Sequence, residues 1–138
     1  MQGSHDAKRF VTSGEGLPVS HSSYSPAIVH GSTVYVSGQV AFDPATGELV
    51  DGGIQEQTQR TLENLRLVAA AAGAGAGDAL RVNVHLADVD DFEAFDEVYR
   101  RFFSSPYPTR VTVGSQLLPG FLIEVDAIFA LPEDGAGR

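Results

Sequence analysis

Polar and apolar positions along the chain change period several times, and each change marks an element. Tyr24–His30 and Thr33–Ser37 flank Gly31-Ser32 and read as a β-hairpin whose turn opens on the glycine that a type II′ turn wants. From Ile54 the spacing becomes helical. Ile54, Thr58, Leu62, Leu65, Val68, Ala69 and Ala72 fall on one stripe, Gln55, Glu56, Gln59, Arg60 and Glu63 face away, and Gly73 closes the helix. Leu80, Val82, Val84 and Leu86 then alternate with Arg81, Asn83 and His85, the pattern of a strand with one apolar face. A second helix is capped by Asp90 or Asp91 and carries Phe92, Phe95, Val98, Tyr99, Phe102 and Phe103 as its apolar stripe, an arrangement read as core.

The last stretch, Pro108 to Pro132, reads as two strands joined by a turn at Pro119-Gly120. Arg110 opens the first. In the second, Ile123, Val125, Ala127, Phe129 and Leu131 share one face, while Glu124 and Asp126 lie on the other among Leu122, Ile128 and Ala130. A carboxylate face interrupted by apolar residues is expected to be covered, and a covered carboxylate needs a cation, hydrogen bonds or a proton. With a two-residue turn, Arg110 would lie opposite Phe129 and on the other face from Glu124; one more loop residue would restore the same face. The sequence leaves that register open.

The expected order is β-β, α, β, α, β-β: an α+β domain with one layer of sheet, both helices on one of its faces, and a subunit interface on the other. Domain limits are expected at residues 12–132, between a flexible N-terminal segment (1–11) and a flexible C-terminal tail (133–138), with residues 14–23 as loop and a possible edge strand at Arg9–Ser13. The Asp43–Gly47 stretch is a turn, and the GAGAG of residues 73–77 is read as a flexible linker, since no Gly-Lys-Ser/Thr follows it as a phosphate loop requires.

Composition narrows the chemistry. An apolar content of 43 % over 138 residues suffices for one core. A net charge of −9 without a Lys/Arg cluster argues against nucleic-acid and anionic-membrane partners. With no cysteine, disulfides and thiol chemistry are excluded, and His5, His21, His30 and His85 lack metal-ligand spacing, so neither metal nor cofactor is expected. No secretory or membrane-spanning run is apparent, from which a soluble, cytoplasmic protein is expected. His85 reads as a strand residue facing solvent or an interface.

Taken together, Tyr24-Ser25, Ser37-Gly38-Gln39, Asp43-Pro44-Ala45-Thr46-Gly47-Glu48, the helix segment QTQRTLENL (57–65), Ala87-Asp88, Tyr99 with Phe102-Phe103, Pro108-Thr109-Arg110, and Leu118-Pro119 ahead of Glu124-Val125-Asp126-Ala127 resemble the YjgF/RidA family of reactive-intermediate deaminases, formerly called L-PSP endoribonucleases. The likeness runs from about Thr12 to Ala130. It implies a chorismate-mutase-like fold, a homotrimer, and clefts between subunits that hydrolyse enamines or imines of 2-oxo acids, such as 2-aminoacrylate, to the oxo acid and ammonia. On this resemblance Arg110 grips a substrate carboxylate and Glu124 positions or activates the attacking water, these two being the catalytic pair. Tyr24, Ser37 and Gly38 line the substrate pocket, and Asp96 stands where the family often has a pocket-lining Asn. Ser22-Ser23, Pro26, Val111 and Thr112 are further departures from the family pattern, and they leave room for a substrate specialised to one pathway. A non-enzymatic binder of small carboxylates and, less favoured by the charge, an endoribonuclease are the alternatives. Asp96 itself has two readings: a solvated partner of Arg100 one helical turn on, or a cleft residue that repels small anionic enamines.

Overall fold

A computed structural model describes residues 7–12, 16–17 and 22–133. Residues 1–6 of the expected N-terminal segment and 134–138 of the expected tail lie outside the described residues, as do His5, His21 and parts of the 14–23 loop. Strands β1 (Lys8–Val11), β2 (Ala27–His30), β3 (Thr33–Gln39), β4 (Ala79–Leu86), β5 (Thr109–Gly114) and β6 (Ile123–Ala130) form one six-stranded sheet in the order β1-β2-β3-β6-β4-β5. Because β1 pairs with β2 from Lys8 onward, the sheet begins ahead of residue 12.

Helices α1 (Ile54–Ala72) and α2 (Phe92–Phe102) pack on the same face of this sheet, as their stripes predict. Leu62, Leu65, Val68 and Ala69 of α1 and Phe95 and Tyr99 of α2 meet Val34, Val36, Val82, Val84, Val125, Ala127 and Phe129 in one core. Full burial of a side chain of this size contributes about 1.5–3 kcal/mol before chain entropy is counted. The ends of α1 are closed by local chemistry. Gly53 N donates to Glu56 Oε1 at 2.9 Å, and Gly73 adopts φ +105°, a left-handed cap natural to glycine. The β2–β3 turn opens on Gly31 at φ +63°, as the hairpin reading requires.

Four local expectations change. Leu80 is exposed rather than part of the apolar face, because β4 carries an extra residue between Ala79 and Arg81 against β6, and that bulge turns Leu80 outward. Residues 73–77 are no flexible linker. They run into a 3-10 turn, Ala76–Asp78, in which Asp78 Oδ2 accepts the Gly75 N–H at 2.8 Å. Asp91 stands at the N-cap of α2 as expected, but without a side-chain cap bond; the carboxylate that accepts a backbone N–H is that of Asp88, which takes Asp90 N at 2.9 Å and caps the 3-10 turn ahead of the helix. The fourth change governs the site.

Strands β5 and β6 do not form a hairpin. β4 lies between them, parallel to β5 and antiparallel to β6. The helix between β4 and β5 explains this: a strand, a crossover helix and a returning strand place the two strands parallel and adjacent. The 115–122 loop then passes the end of β4, with Ser115 N donating to Leu86 O at 2.9 Å and Ala87 N to Leu122 O at 3.0 Å.

Two buried amides of α1 tie the remaining loops to this frame. Asn64 Nδ2 donates to Val40 O at 2.9 Å and to Phe42 O at 2.7 Å, and its Oδ1 accepts Arg60 Nε at 3.1 Å. Gln57 Nε2 donates to Gly120 O at 3.0 Å while its Oε1 accepts the Leu122 N–H at 2.9 Å. Replacing Asn64 by Leu keeps the bulk but orphans two carbonyls. The variant is expected to lose about 1–3 kcal/mol for each carbonyl left without water or another donor, read from the urea midpoint. An unchanged midpoint would contradict the pinning role.

Candidate active site

Register decides which of the expected site residues can meet. Arg110 pairs with Val82, whose side chain is in the helix-covered core, so Arg110 points to the helix side of the sheet. Glu124 pairs with His85, and Asp126 with Asn83, on the open side. Glu124 and Arg110 thus stand on opposite faces, with β4 between their strands. Within one chain they form two half-sites.

The first half-site lies at the β5 edge under α2. There the Arg110 guanidinium sits over the ring of Tyr99 at 4.6 Å, with Phe95 at 5.4 Å and Phe92 at 5.6 Å from its carbon. Aromatic faces attract a cation and fix the plane of its fork. Arg110 Nη1 donates to Asp96 Oδ1 at 2.8 Å, and the other Asp96 oxygen lies 3.4 Å from Arg100 Nη2. Burial pushes the Tyr99 hydroxyl up to about 12, against the lowering pull of the nearby Arg110 charge. Asp96, Tyr99, Arg100, Tyr107, Pro108 and Arg110 line a cavity of about 390 Å³ here. Asp96 keeps the longer contact to Arg100 and also lines the cavity, and its shorter contact, to Arg110, is one that neither reading included. It holds the arginine assigned to substrate.

The second half-site is a groove of about 790 Å³ on the open face, which includes Tyr24, Ser37, Gly38, Phe42, Glu124 and Asp126 in its lining. Its shape comes from a bulge. Between the pairs Val36–Ala127 and Gln39–Val125, β3 has one residue more than β6, which bends the strand at Ser37-Gly38. The Glu124 carboxylate fills the space so made, and a Cβ on Gly38 would overlap Glu124 Oε2. Gly38, expected to line a substrate pocket, is the seat of a carboxylate. Ser37 Oγ donates to Ser25 O at 2.6 Å and so anchors the segment that carries Tyr24.

The two carboxylates of β6 have different surroundings. Asp126 Oδ1 accepts Asn83 Nδ2 at 2.8 Å. The Glu124 carboxylate makes no hydrogen bond or ion pair among the described residues, which leaves its oxygens available to a ligand or a water. His85, beside Glu124 on β4, holds Ser115 Oγ at 2.7 Å through Nδ1. Asn83, Ser115 and the aromatic seat of Arg110 were not singled out by sequence. The α2 stripe signals the last of these, but as a core pattern it does not say that part of it carries a cation.

This strand order and these positions can be set beside known proteins. The Endoribonuclease L-PSP family matches residues 16–131. The chain belongs to that family. A RutC family protein of Pyrococcus abyssi is 44 % identical over 106 residues, covering 76 % of this chain and 84 % of the relative. The Homo sapiens protein named 2-iminobutanoate/2-iminopropanoate deaminase is 36 % identical over 121 residues, 87 % of this chain and 88 % of its own. Among solved structures, RidA from an Antarctic Psychrobacter superposes with a TM-score of 0.84 at 35 % identity, covering 89 % of this chain and 100 % of that one. Escherichia coli TdcF with bound serine gives 0.82 at 31 % identity, covering 90 % and 100 %. The α+β fold expected from the resemblance is thereby established, and the family's members include enzymes named for acting on a C–N bond.

The role of Gly38 can be isolated. In Gly38→Ala the clash falls on the far end of a flexible side chain, so the fold should survive with stability changed by about 1 kcal/mol or less, while the Glu124 carboxylate swings out of the bulge. A crystal structure of the variant with Glu124 unmoved would contradict this.

Proposed function

We propose that the protein hydrolyses imines or enamines of small 2-oxo acids to the oxo acid and ammonia, at a site built from the Arg110 half of one chain and the Glu124 half of a neighbour. The observation that carries the reading is the pair of incomplete half-sites. One offers a cation held flat on aromatic rings, the other a carboxylate in a groove with no partner among the described residues. The relatives named 2-iminobutanoate/2-iminopropanoate deaminase support the reaction class. The serine bound in Escherichia coli TdcF supports a small carboxylate-bearing ligand.

In this mechanism a guanidinium N–H edge of Arg110 takes the substrate carboxylate by charge-assisted hydrogen bonds, which orients the imine carbon toward Glu124. Glu124 removes a proton from water as its oxygen bonds to the imine carbon and the C=N π pair moves to nitrogen. The proton is then returned to nitrogen. Glu124 then takes the carbinolamine hydroxyl proton and passes it to the amino nitrogen as C=O forms and C–N breaks, releasing ammonia, so water and imine are converted to oxo acid and ammonia in balance. An enamine first gains a proton at carbon to become the imine. Tyr24 borders the groove and Gly38 seats the base, while Ser37 acts through the loop it anchors.

The neighbour is proposed to be a second copy of the chain in a homotrimer. Tyr35, Val111 and Val113 are exposed on the open face, next to half-buried Ile128, and a cover over them would complete the groove. The ribonuclease activity in the family's name gains no support from a chain of net charge −9, because a phosphodiester site favours cations.

The test presents freshly generated 2-iminopropanoate and 2-iminobutanoate and follows oxo acid and ammonia. Turnover above the spontaneous rate is expected, and Arg110→Lys should lose nearly as much as Arg110→Ala, because lysine keeps the charge but not the planar fork. Each lost charge-assisted hydrogen bond should cost about 1.5–3 kcal/mol of transition-state binding. Tight binding of oxo acids without any ammonia release would instead favour a non-enzymatic carboxylate binder, and near-native turnover in Arg110→Lys would remove the fork from the mechanism.

A further inference from the structure

Arg110 does not wait for a ligand with its charge unanswered. Asp96 Oδ1 already holds its Nη1 at 2.8 Å, the two side chains are 26 % and 23 % exposed respectively, and both line the 390 Å³ cavity. The contact is to one nitrogen, so the guanidinium retains N–H groups for a second acid. Stacking on Tyr99, at 4.6 Å, hinders the guanidinium from turning away from Asp96 to meet that acid elsewhere. A ligand carboxylate must therefore share one guanidinium with a resident carboxylate. The other cation near Asp96, Arg100, is more than half exposed and lies 3.4 Å away, where solvent screens it.

We propose that Asp96 makes this pocket selective for ligands that carry a proton on nitrogen beside their carboxylate, holding 2-imino and 2-amino acids in preference to the matching 2-oxo acids. The inference rests on the function proposed above and adds the basis of discrimination. In an α-imino or α-amino acid the nitrogen is attached to the carbon next to the carboxylate. When the carboxylate takes the open N–H groups of Arg110, the nitrogen can donate to Asp96, and the repulsion between the two acids is offset by a charge-assisted hydrogen bond. An oxo acid offers a carbonyl oxygen at that position. It brings a second acceptor to an acceptor, so the repulsion stands and a good hydrogen bond is missing.

The consequence is directional. Hydrolysis exchanges the nitrogen donor for an oxygen acceptor, so the reaction itself converts a ligand that Asp96 favours into one that it disfavours. Asp96 thereby hastens departure of the oxo acid, and it discriminates against free 2-oxo acids as competitors of the imine. Asparagine at this position would keep the shape and could turn its amide to donate to either ligand. Its preference would be flat.

Because imines hydrolyse in water, the test uses two stable probes of one carbon skeleton, 2-aminobutanoate and 2-oxobutanoate, titrated separately into the intact protein by calorimetry. The wild-type protein is expected to bind the amino acid about tenfold more tightly than the oxo acid, the scale of one charge-assisted hydrogen bond. In Asp96→Asn the two affinities should come within about twofold, mainly because the oxo acid binds better. Asp96→Ser is a second variant should the first not fold, with the same expected loss of preference. Equal affinities in the wild-type protein, tighter oxo acid binding, no binding of either probe, or a preference that survives both substitutions would each overturn the proposal. The readout needs no turnover. A protein that discriminates the probes but hydrolyses no imine keeps this inference and loses the proposed function, and one that hydrolyses imines without discriminating does the reverse.

Discussion

Insertion of β4 between β5 and β6 sets the chemistry that this chain can do alone. A strand's side chains alternate between faces, so once Arg110 is level with Val82 and Glu124 with His85, the two functional groups point away from each other. No side-chain rotation repairs this. Arg110 is further committed by its aromatic seat and by Asp96, and Glu124 by the space over Gly38. Each half-site is positioned by contacts within its own chain, and the sheet itself separates them. Preorganisation of this kind suits a site that is completed by docking a second surface, because neither half need rearrange to meet its counterpart.

The buried amides of α1 serve the same end. Asn64 and Gln57 lie on the core side of the helix, where they satisfy the backbone of the 40–42 and 120–122 segments instead of each other. Those segments bring Phe42 and Phe121 to the wall of the open-face groove, their rings edge to face at 5.4 Å. A helix on one face of the sheet thus shapes the rim of a groove on the other through hydrogen bonds that pass around the sheet's end.

Much of the fold was legible because it rests on periodicity. Both helices and the inward faces of β4 and β6 follow from apolar spacing, the β2–β3 hairpin from its Gly31-Ser32 turn, and the α+β class from their order. Strand neighbours were not legible in the same way. Two extended runs joined by Pro119-Gly120 read as a hairpin, and only the crossover through α2, a tertiary fact, places β4 between them. Bulges escaped for a similar reason: Leu80 continues the alternation of its strand perfectly, and nothing local shows that the partner strand is one residue short. Within the site, the residue types at 110, 124 and 96 were readable as chemistry and the face of Glu124 followed from alternation, but the face of Arg110 relative to it did not. The contact between Asp96 and Arg110 joins residues fourteen apart in sequence and depends on α2 lying over β5, so the helical partner Arg100 was the only cation that spacing could offer.

The central claim is that Arg110 and Glu124 act together only across two chains, and subunit complementation tests it most directly. Arg110→Ala and Glu124→Gln chains, each inactive alone, are co-expressed with different tags, and the mixed assemblies are isolated and assayed for imine hydrolysis. If a site takes its arginine from one chain and its carboxylate from the next, every mixed trimer keeps about one of its three interfaces intact, and activity near a third of wild type should return. If both groups serve from the same chain, every site carries one defect. Mixed assemblies of normal size with no recovered activity would contradict the account.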